Sequence, residues 1–510
     1  MSDREIELKL VCEPAELERV RRAPALMRLK SGRGSGKHLH STYFDTDNLA
    51  LGDHGLALRL RRSGGACTQT LKTENGLSGD KTGALARDTG EYEARLPRGA
   101  AGPDLNKLPA GLKSRIQKLA NGRPIAPRLV SDIRRTVHSL TTAEGDVIEL
   151  ALDKGALRAG KAKEIPVSEI ELELKEGSPE SLYRLALDLN DIATLRVGFE
   201  SKSERGFALL RPRTPTAVKA ETLTLAPDAT LEDVYATVLR HCLVHLTANE
   251  TATVEARLPE ALHQMRVALR RARSALAVFR PAIGGGMADR LADEAKWLAN
   301  ELGPARDFDV FVGEILAPVT PRDAGLSRLA ARAAAAREEA WDRALAALAS
   351  RRYTRFLLEY GLFLAGRGWR VKRKAPRLAR AFAVEALDRR LASVVKLGRE
   401  IETLDLEGRH ELRKRLKKFR YALHFFSSLF GGGVTSKPYI KHLSQLQDVF
   451  GGLNDVATAH LILDGPLAAL DSAEAAARVF AWSEKRAAKD WKGALRLWRR
   501  FREAGAFWRG

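Results

Sequence analysis

The chain has 510 residues, enough for two or more domains. Its formal net charge is +21, but residues 1–210 hold 34 Lys and Arg against 30 Asp and Glu, whereas residues 211–510 hold 51 against 34. The three scattered cysteines argue against a disulfide framework, and no apolar run approaches the roughly 20 residues of a membrane span. The charged N-terminus argues against a signal peptide, so we expect a cytoplasmic protein that does not enter a membrane.

Residues 3–210 show a two-residue alternation of charged and apolar side chains, the pattern of a β-strand with one polar face. Near the start, Glu5, Glu7 and Lys9 share one face, while Ile6 and Leu8 share the other. The alternation predicts further strands at residues 56–61, 70–72, 91–96, 148–153 and 169–175, and Lys202 and Glu204 close the series. A solvated face of an ordinary antiparallel sheet is the simplest interpretation of any one of these strands.

The predicted strands separate into basic ones and acidic ones along the chain. An antiparallel β-barrel of about eight strands would bring these faces together around a lumen. Its apolar outer face would need covering, and amphipathic helices are predicted at residues 15–22, 105–120 and 179–192. The result would be a tunnel lined by cations, which suit a polyphosphate, and by carboxylates, which suit a hard divalent metal.

Three motifs in this part resemble the CYTH domain, the triphosphate tunnel metalloenzyme fold. Glu5-x-Glu7-x-Lys9 resembles the family's opening signature, and residues 43–46 with 55–61 resemble its second and third strands. Residues 201–206 resemble its last strand, and residues 132–136 offer two arginines where the family has one. Alternation against Ile133 and Val137 favours Arg134 as the tunnel arginine.

The resemblance implies a role for each matching position. Glu5, Glu7, Glu171 and Glu173 would hold Mg²⁺ or Mn²⁺, while Glu149 and Asp153 would either hold a metal or position the attacking water. Lys9 would act in catalysis beside the residues that bind the phosphates. Six basic residues would bind the phosphates of the substrate: Arg59, Arg61, Lys72, Arg134, Lys202 and Arg205.

A proline-containing stretch at residues 211–230 is predicted to link this part to an all-α helical bundle over residues 231–510. The helical part contains an internal repeat with an offset of 147 or 148 residues, which predicts two copies of one unit. The first copy holds His263, Arg266, Arg270 and Arg273, followed by a corner with Arg306; the second holds His410, Arg413, Lys417 and Arg420, followed by Asn454-Asp455.

Each basic set falls within a narrow arc of a helix, and such a ridge of like charges repels itself unless an anion lies across it. A solvated helix face is the alternative. The two ridges and their corners resemble the CHAD domain, a helical module associated with inorganic polyphosphate. The resemblance implies that the ridges bind polyphosphate, and the protein would then associate with polyphosphate granules.

Taken together, the two resemblances imply a metal-dependent inorganic triphosphatase that joins residues 1–210, a triphosphate tunnel domain, to a polyphosphate-binding domain. If the protein is an enzyme, two alternative activities known from relatives are the hydrolysis of thiamine triphosphate and the cyclisation of ATP. A non-catalytic polyphosphate receptor and an RNA-binding protein are alternatives from other classes. The ridges lack interleaved aromatic residues, so we expect no specific nucleic acid as a partner.

Overall fold

The computed structural model describes residues 3–73, 85–160, 163–211, 214–319, 324–431, 433–468 and 473–509. Contacts between residues divide the chain into two units. Unit 1 comprises Met1–Pro215 and Ala349–Gly368, and unit 2 comprises Thr216–Leu348 and Trp369–Gly510. Unit 1 therefore consists of two separate stretches of the chain, whereas the sequence predicted that each domain is one uninterrupted stretch.

Unit 1 is built on an antiparallel sheet with strand order β5-β4-β3-β2-β6-β7-β8-β1-β9. Strand β1 also pairs with β5, with Asp3 opposite Glu91 and Glu7 opposite Arg87. The strands are β1 (Asp3–Val11), β2 (Ser35–Asp45), β3 (Leu56–Ser63), β4 (Ala66–Thr73), β5 (Arg87–Leu96), β6 (Ala126–Thr141), β7 (Val147–Ala159), β8 (Lys163–Glu176) and β9 (Arg196–Val197).

Helices flank this sheet, numbered here in chain order across both units. Those of unit 1 are α1 (Pro14–Arg21), α2 (Pro24–Leu29), α3 (Ala110–Ala120), α4 (Glu180–Ile192), α5 (Lys202–Leu210) and α12 (Arg351–Ala365). The predicted helices at 15–22, 105–120 and 179–192 correspond to α1, α3 and α4, and are confirmed.

One face of the sheet is apolar and carries a core of unit 1. Leu56, Leu58 and Leu60 on β3 are buried in it, and α3 covers it with Ile116. Arg59 and Arg61 alternate with these leucines and therefore point to the other face of β3. The alternation in the sequence thus assigned the two faces of this strand correctly.

The opposite face of the sheet is charged along only part of its length. A second core contains Leu39, Tyr43, Ile133 and Leu157, and Phe207 of α5 packs against it. At one end this face is therefore filled by apolar side chains.

The prediction of a strand at residues 201–206 was wrong, because this segment begins helix α5. Ser201 accepts a hydrogen bond from the backbone N–H of Glu204, and the Glu204 carboxylate accepts one from the backbone N–H of Ser201. This reciprocal capping box starts a helix. It also places Lys202 and Arg205 three residues apart on one helical face.

Where the structure describes unit 2, its regular elements are helices apart from the short strand pair β10 (Ile283–Gly284) and β11 (Arg370–Val371). None of the helices among the described residues has both the length and the apolar character needed to cross a membrane. Its helices are α6 (Leu231–Thr247), α7 (Glu250–Val254), α8 (Pro259–Phe279), α9 (Gly286–Glu301), α10 (Gly303–Val310), α11 (Ala324–Leu348), α13 (Ala379–Gly398), α14 (Leu406–Phe426), α15 (Gly433–Asp464) and α16 (Ala473–Glu503).

The two predicted ridges lie on α8 and α14, which have 21 residues each. The bounds of these helices differ by 147 residues at both ends, the offset seen in the sequence. The corners differ: α9 and α10 are separate helices around Leu302, whereas Gly451 lies inside the continuous α15. The side chains of Asn454 and Asp455 lie outside the described residues, and the two-fold repeat stays a prediction.

Candidate phosphate and metal site

The polar face of the unit 1 sheet surrounds a cavity of about 830 Å³, called here the charged cavity. Its walls come from strands on both halves of the sheet and from the start of α5. Ten of the predicted site residues line it: Glu5, Glu7, Lys9, Arg59, Arg61, Lys72, Glu149, Glu171, Glu173 and Lys202. Strand alternation therefore brought together most of the residues that the sequence singled out.

Arg134 does not line this cavity, and its neighbour Arg135 does. Arg134 is exposed on the other face of β6. The sequence argument assumed that Ile133 and Val137 point to an apolar outer face. Both instead share the inner face with Arg135, because Ile133 belongs to the inner core and Val137 lines the cavity.

Asp153 and Arg205 lie behind the cavity wall, in a buried network of ions. Asp153 accepts hydrogen bonds from Arg135 at 2.7 and 2.6 Å, and its carboxylate lies 2.8 Å from the Lys202 ammonium. Arg205 donates to Glu169 at 2.8 Å. Glu169 is fully buried and was not among the predicted site residues, although it precedes Glu171 by two on the same strand face.

Asp153, Glu169 and Glu171 offer oxygens within 4.8 Å of one another, a grouping that could hold a metal ion. Burial by itself raises the pKa of Glu171, yet Lys202, Arg135 and Lys9 hold it well below its ordinary value. The same balance of burial against Lys202 and Arg135 lowers the pKa of Asp153. These carboxylates are thus already neutralised by protein cations, and a metal would have to displace them.

A second set of carboxylates has fewer cations around it. Glu7 and Glu149 lie directly opposite Glu173 on the neighbouring strands β1 and β7. Burial raises the pKa of Glu173; its ion pair with Lys175 opposes that shift, and the charges of Glu5 and Glu149 add to it. Like charges in one row of a sheet need a cation between them, and Mg²⁺ prefers oxygen ligands.

Carboxylates neutralise part of the positive charge on the basic side of the cavity. Arg59 pairs with Glu91 at 3.1 Å, and Lys72 pairs with Glu5 at 2.5 Å and with Glu91 at 3.2 Å. Glu91 was missed as a site residue, although its place in the alternation of β5 was visible in the sequence.

Arg61 belongs to no ion pair among the described residues, although the negative charge of Glu171 acts on it from further away. It donates a hydrogen bond to the Ser41 hydroxyl at 3.3 Å. Burial, together with the nearby Arg59 and Arg135, lowers the pKa of Arg61 to about 10. A buried guanidinium beside other cations is stabilised by an anion, and phosphate oxygens match its donors.

Unit 2 has a separate basic cavity of about 580 Å³, called here the helical cavity. Three of the predicted ridge residues line it, Arg270 and Arg273 from α8 and Lys417 from α14. The buried Tyr421 of α14 also lines this cavity; burial by itself raises the pKa of its hydroxyl, but the charges of Arg270 and Arg420 lower that pKa below its ordinary value.

The remaining ridge residues of α8 are not at the helical cavity. Arg266 donates to the backbone oxygen of Ala299 at 2.5 Å, so part of its role is structural. Burial, followed by the charges of Arg306 and Arg270, lowers the pKa of His263 to about 4. His263 is therefore neutral at pH 7. On α14, His410 is exposed and Arg413 is half-buried.

Comparison with known proteins identifies the two parts of the chain. Residues 3–207 match the family model of the CYTH domain, and residues 237–464 match that of the CHAD domain. The chain therefore carries a CYTH domain followed by a CHAD domain, and both resemblances seen in the sequence are confirmed.

The chain is 27% identical over 414 residues to an uncharacterized protein of Mycobacterium tuberculosis, covering 76% of this chain and 75% of that protein. It is 29% identical over 171 residues to the inorganic triphosphatase of Haemophilus influenzae, covering 34% of this chain and 46% of that enzyme. Among solved structures, the CHAD domain of Ricinus communis is 30% identical with a TM-score of 0.48, covering 55% of this chain and 96% of that one.

Proposed function

We propose that this protein is a metal-dependent inorganic triphosphatase that cleaves triphosphate to diphosphate and phosphate in the charged cavity. The observation that carries the proposal is one cavity lined both by cations, among them Arg61, which belongs to no ion pair among the described residues, and by a row of carboxylates. The pairing of β1 with β5 supports a sheet that closes around this cavity as a tunnel. The partial match to an inorganic triphosphatase points to the same reaction.

The residues of the cavity divide the chemistry between them in this proposal. Arg59, Arg61 and Lys72 bind phosphate oxygens and stabilise the negative charge of the transition state. Lys202 and Arg135 hold the buried carboxylates behind them in one arrangement, so the lining is preorganised.

The row of Glu7, Glu173 and Glu149, together with Glu5, fits a divalent metal such as Mg²⁺ or Mn²⁺. The observation behind this assignment is the row itself, in which Glu7 and Glu149 lie directly opposite Glu173; burial and the neighbouring carboxylates raise the pKa of Glu173, in agreement with it. A bound ion would supply that charge and neutralise the phosphate oxygens. Glu149 would also accept a hydrogen bond from the attacking water.

Phosphate release from triphosphate, ATP, thiamine triphosphate and long polyphosphate, with and without Mg²⁺, tests the proposal. We expect the highest kcat/KM for triphosphate and no turnover without the metal. Preference for thiamine triphosphate, or cyclic AMP from ATP, would assign the alternative reactions. Tight binding of all four compounds without phosphate release would instead indicate a receptor.

For unit 2 we propose binding of inorganic polyphosphate, supported by the basic lining of the helical cavity, to which α8 contributes Arg270 and Arg273 and α14 contributes Lys417. The charge of residues 211–510 favours a long polyanion. Affinity should fall steeply with salt because several phosphate contacts form at once. Competition between RNA and polyphosphate at physiological salt would decide between these two polyanions, and a cytoplasmic location at polyphosphate granules stays a prediction.

A further inference from the structure

Helix α12 lies inside the stretch matched as a CHAD domain, yet it packs in unit 1. The Thr354 hydroxyl donates to the backbone oxygen of Leu195 at 2.6 Å, and the Asn190 amide donates to the backbone oxygen of Arg351 at 3.2 Å. Phe356 and Tyr360 are among its buried side chains. The helix is therefore held by both hydrogen bonds and apolar packing.

The central contact of α12 is with Tyr183 of α4, which is fully buried. A β-carbon placed on Gly361 would lie 2.2 Å from Cε1 of the Tyr183 ring and 2.9 Å from Cζ. Nothing but a hydrogen fits at this position of α12. The absence of a side chain at Gly361 thus allows the helix backbone to press directly on the ring.

The hydroxyl of Tyr183 binds the backbone of the two residues that precede strand β5. It accepts hydrogen bonds from the backbone N–H groups of Leu85 at 3.3 Å and Ala86 at 3.1 Å. Both amides are buried, and a buried N–H without an acceptor is costly. The tyrosine therefore fixes the direction in which the chain enters β5.

The first residues of β5 belong to the charged cavity. Arg87 lines it and donates to the Phe199 backbone oxygen at 2.8 Å and to Glu204 at 2.6 Å. Four residues further along, Glu91 pairs with both Arg59 and Lys72. A shift at Ala86 would displace Arg87 first, and through Glu91 it would disturb the two phosphate-binding cations.

We infer that α12 and Tyr183 form a buttress that positions β5 for hydrolysis, with Tyr183 as a positioning residue and Gly361 as the contact that holds its ring. This inference rests on the proposed triphosphatase function for its kinetic consequence, but not for its structural one. It implies that the catalytic unit is incomplete without residues 349–368.

The test uses three full-length variants. Gly361→Ala pushes the Tyr183 ring away, and Tyr183→Phe keeps the ring while removing the acceptor. Gly111→Ala is the matched control, because it lies in helix α3 with open space around its β-carbon. By helix propensity alone, both glycine changes should stabilise the protein slightly.

Amide hydrogen exchange at residues 85–91 is the first measurement and needs no substrate. We expect about tenfold faster exchange at Leu85 and Ala86 in Tyr183→Phe, which corresponds to one lost hydrogen bond of about 1.4 kcal/mol. Gly361→Ala should match it, and adding Gly361→Ala to Tyr183→Phe should change little more, since both act through one hydroxyl. Unchanged exchange in both single variants, or full additivity, would refute the buttress.

Triphosphate kinetics at saturating Mg²⁺ are the second measurement. We expect kcat to fall about five- to tenfold in both variants, while Gly111→Ala behaves as the parent protein. Faster exchange with unaltered kcat and KM would overturn the positioning role. If the parent protein hydrolyses no triphosphate, the proposed function fails, and the exchange data still decide whether the buttress exists. If Gly361→Ala does not fold, Tyr183→Phe carries both measurements.

Discussion

Lys202→Met tests whether the buried ion network behind the charged cavity depends on one ammonium group. Lys202 is 9% exposed, and its nitrogen lies 2.8 Å from both Asp153 and Glu171 and is also bonded to Glu169. Methionine is an unbranched side chain one atom shorter than lysine, so it keeps most of the apolar length and removes the charge. Three buried carboxylates would then share the remaining cations.

The expected loss of stability follows from those remaining pairs. Removing one partner of a buried ion pair costs about 3–5 kcal/mol. Asp153 keeps Arg135 at 2.6 Å and Glu169 keeps Arg205 at 2.8 Å, so we expect the lower end, about 3 kcal/mol. Amide exchange in β7 and β8 should accelerate by about a hundredfold at pH 7.

The effect should depend on pH with a defined sign. The native pKa values of Asp153 and Glu171 are lowered, so their ionic stabilisation is present above the unfolded values of about 4 and is lost as the pH falls below them. The difference between the parent and Lys202→Met should therefore be largest near neutrality and shrink in acid.

Lys154→Met is the matched control, since Lys154 is exposed on the strand that carries Asp153. It should change stability by less than about 0.5 kcal/mol. All seven tryptophans lie in unit 2, so exchange, rather than tryptophan fluorescence, must follow unit 1. If the two lysine variants have equal effects at pH 7, the buried ion network does not depend on the Lys202 ammonium group.

Three further predictions concern the two cavities. Glu173→Gln should stabilise the metal-free protein to heat at pH 7 and not below about pH 4, because the raised pKa marks a carboxylate whose ionised form is disfavoured on folding; no gain at pH 7 would contradict this. Arg61→Ala should lower kcat/KM for triphosphate by about ten- to a hundredfold through loss of a charge-assisted contact, while Arg134→Ala stays within about twofold; equal losses would show that exposure is no guide to function. Arg273→Glu should weaken polyphosphate binding measured by titration calorimetry, and Arg343→Glu, the same charge change at an exposed site of α11, should have much less effect; similar losses would indicate a response to net charge alone.

The sequence by itself determined the features that depend on local periodicity. The two-residue alternation assigned Arg59 and Arg61 to one face of β3 and its leucines to the other, because successive side chains of a strand alternate. The motifs were specific enough to identify both domains. The helical period placed the basic ridges on α8 and α14 for the same local reason.

Tertiary structure decided what alternation leaves open. Which face of β6 is the inner one depended on the apolar core at the end of the cavity, and that core made Arg135 rather than Arg134 a cavity residue. At residues 201–206 the charged residues fit a strand pattern, but a capping box starts a helix there. Neither Glu169 nor Asp153 could be recognised as part of one ion network until β7, β8 and α5 were packed together.

The position of α12 is the clearest case of a decision made only by packing. Its sequence has the same helical character as its neighbours in the chain, so nothing local separates it from unit 2. The site it occupies is defined by surfaces far away in sequence, above all the Tyr183 ring against Gly361. Periodicity says which face of a helix is apolar, but the complementary surface that buries that face exists only in the folded chain.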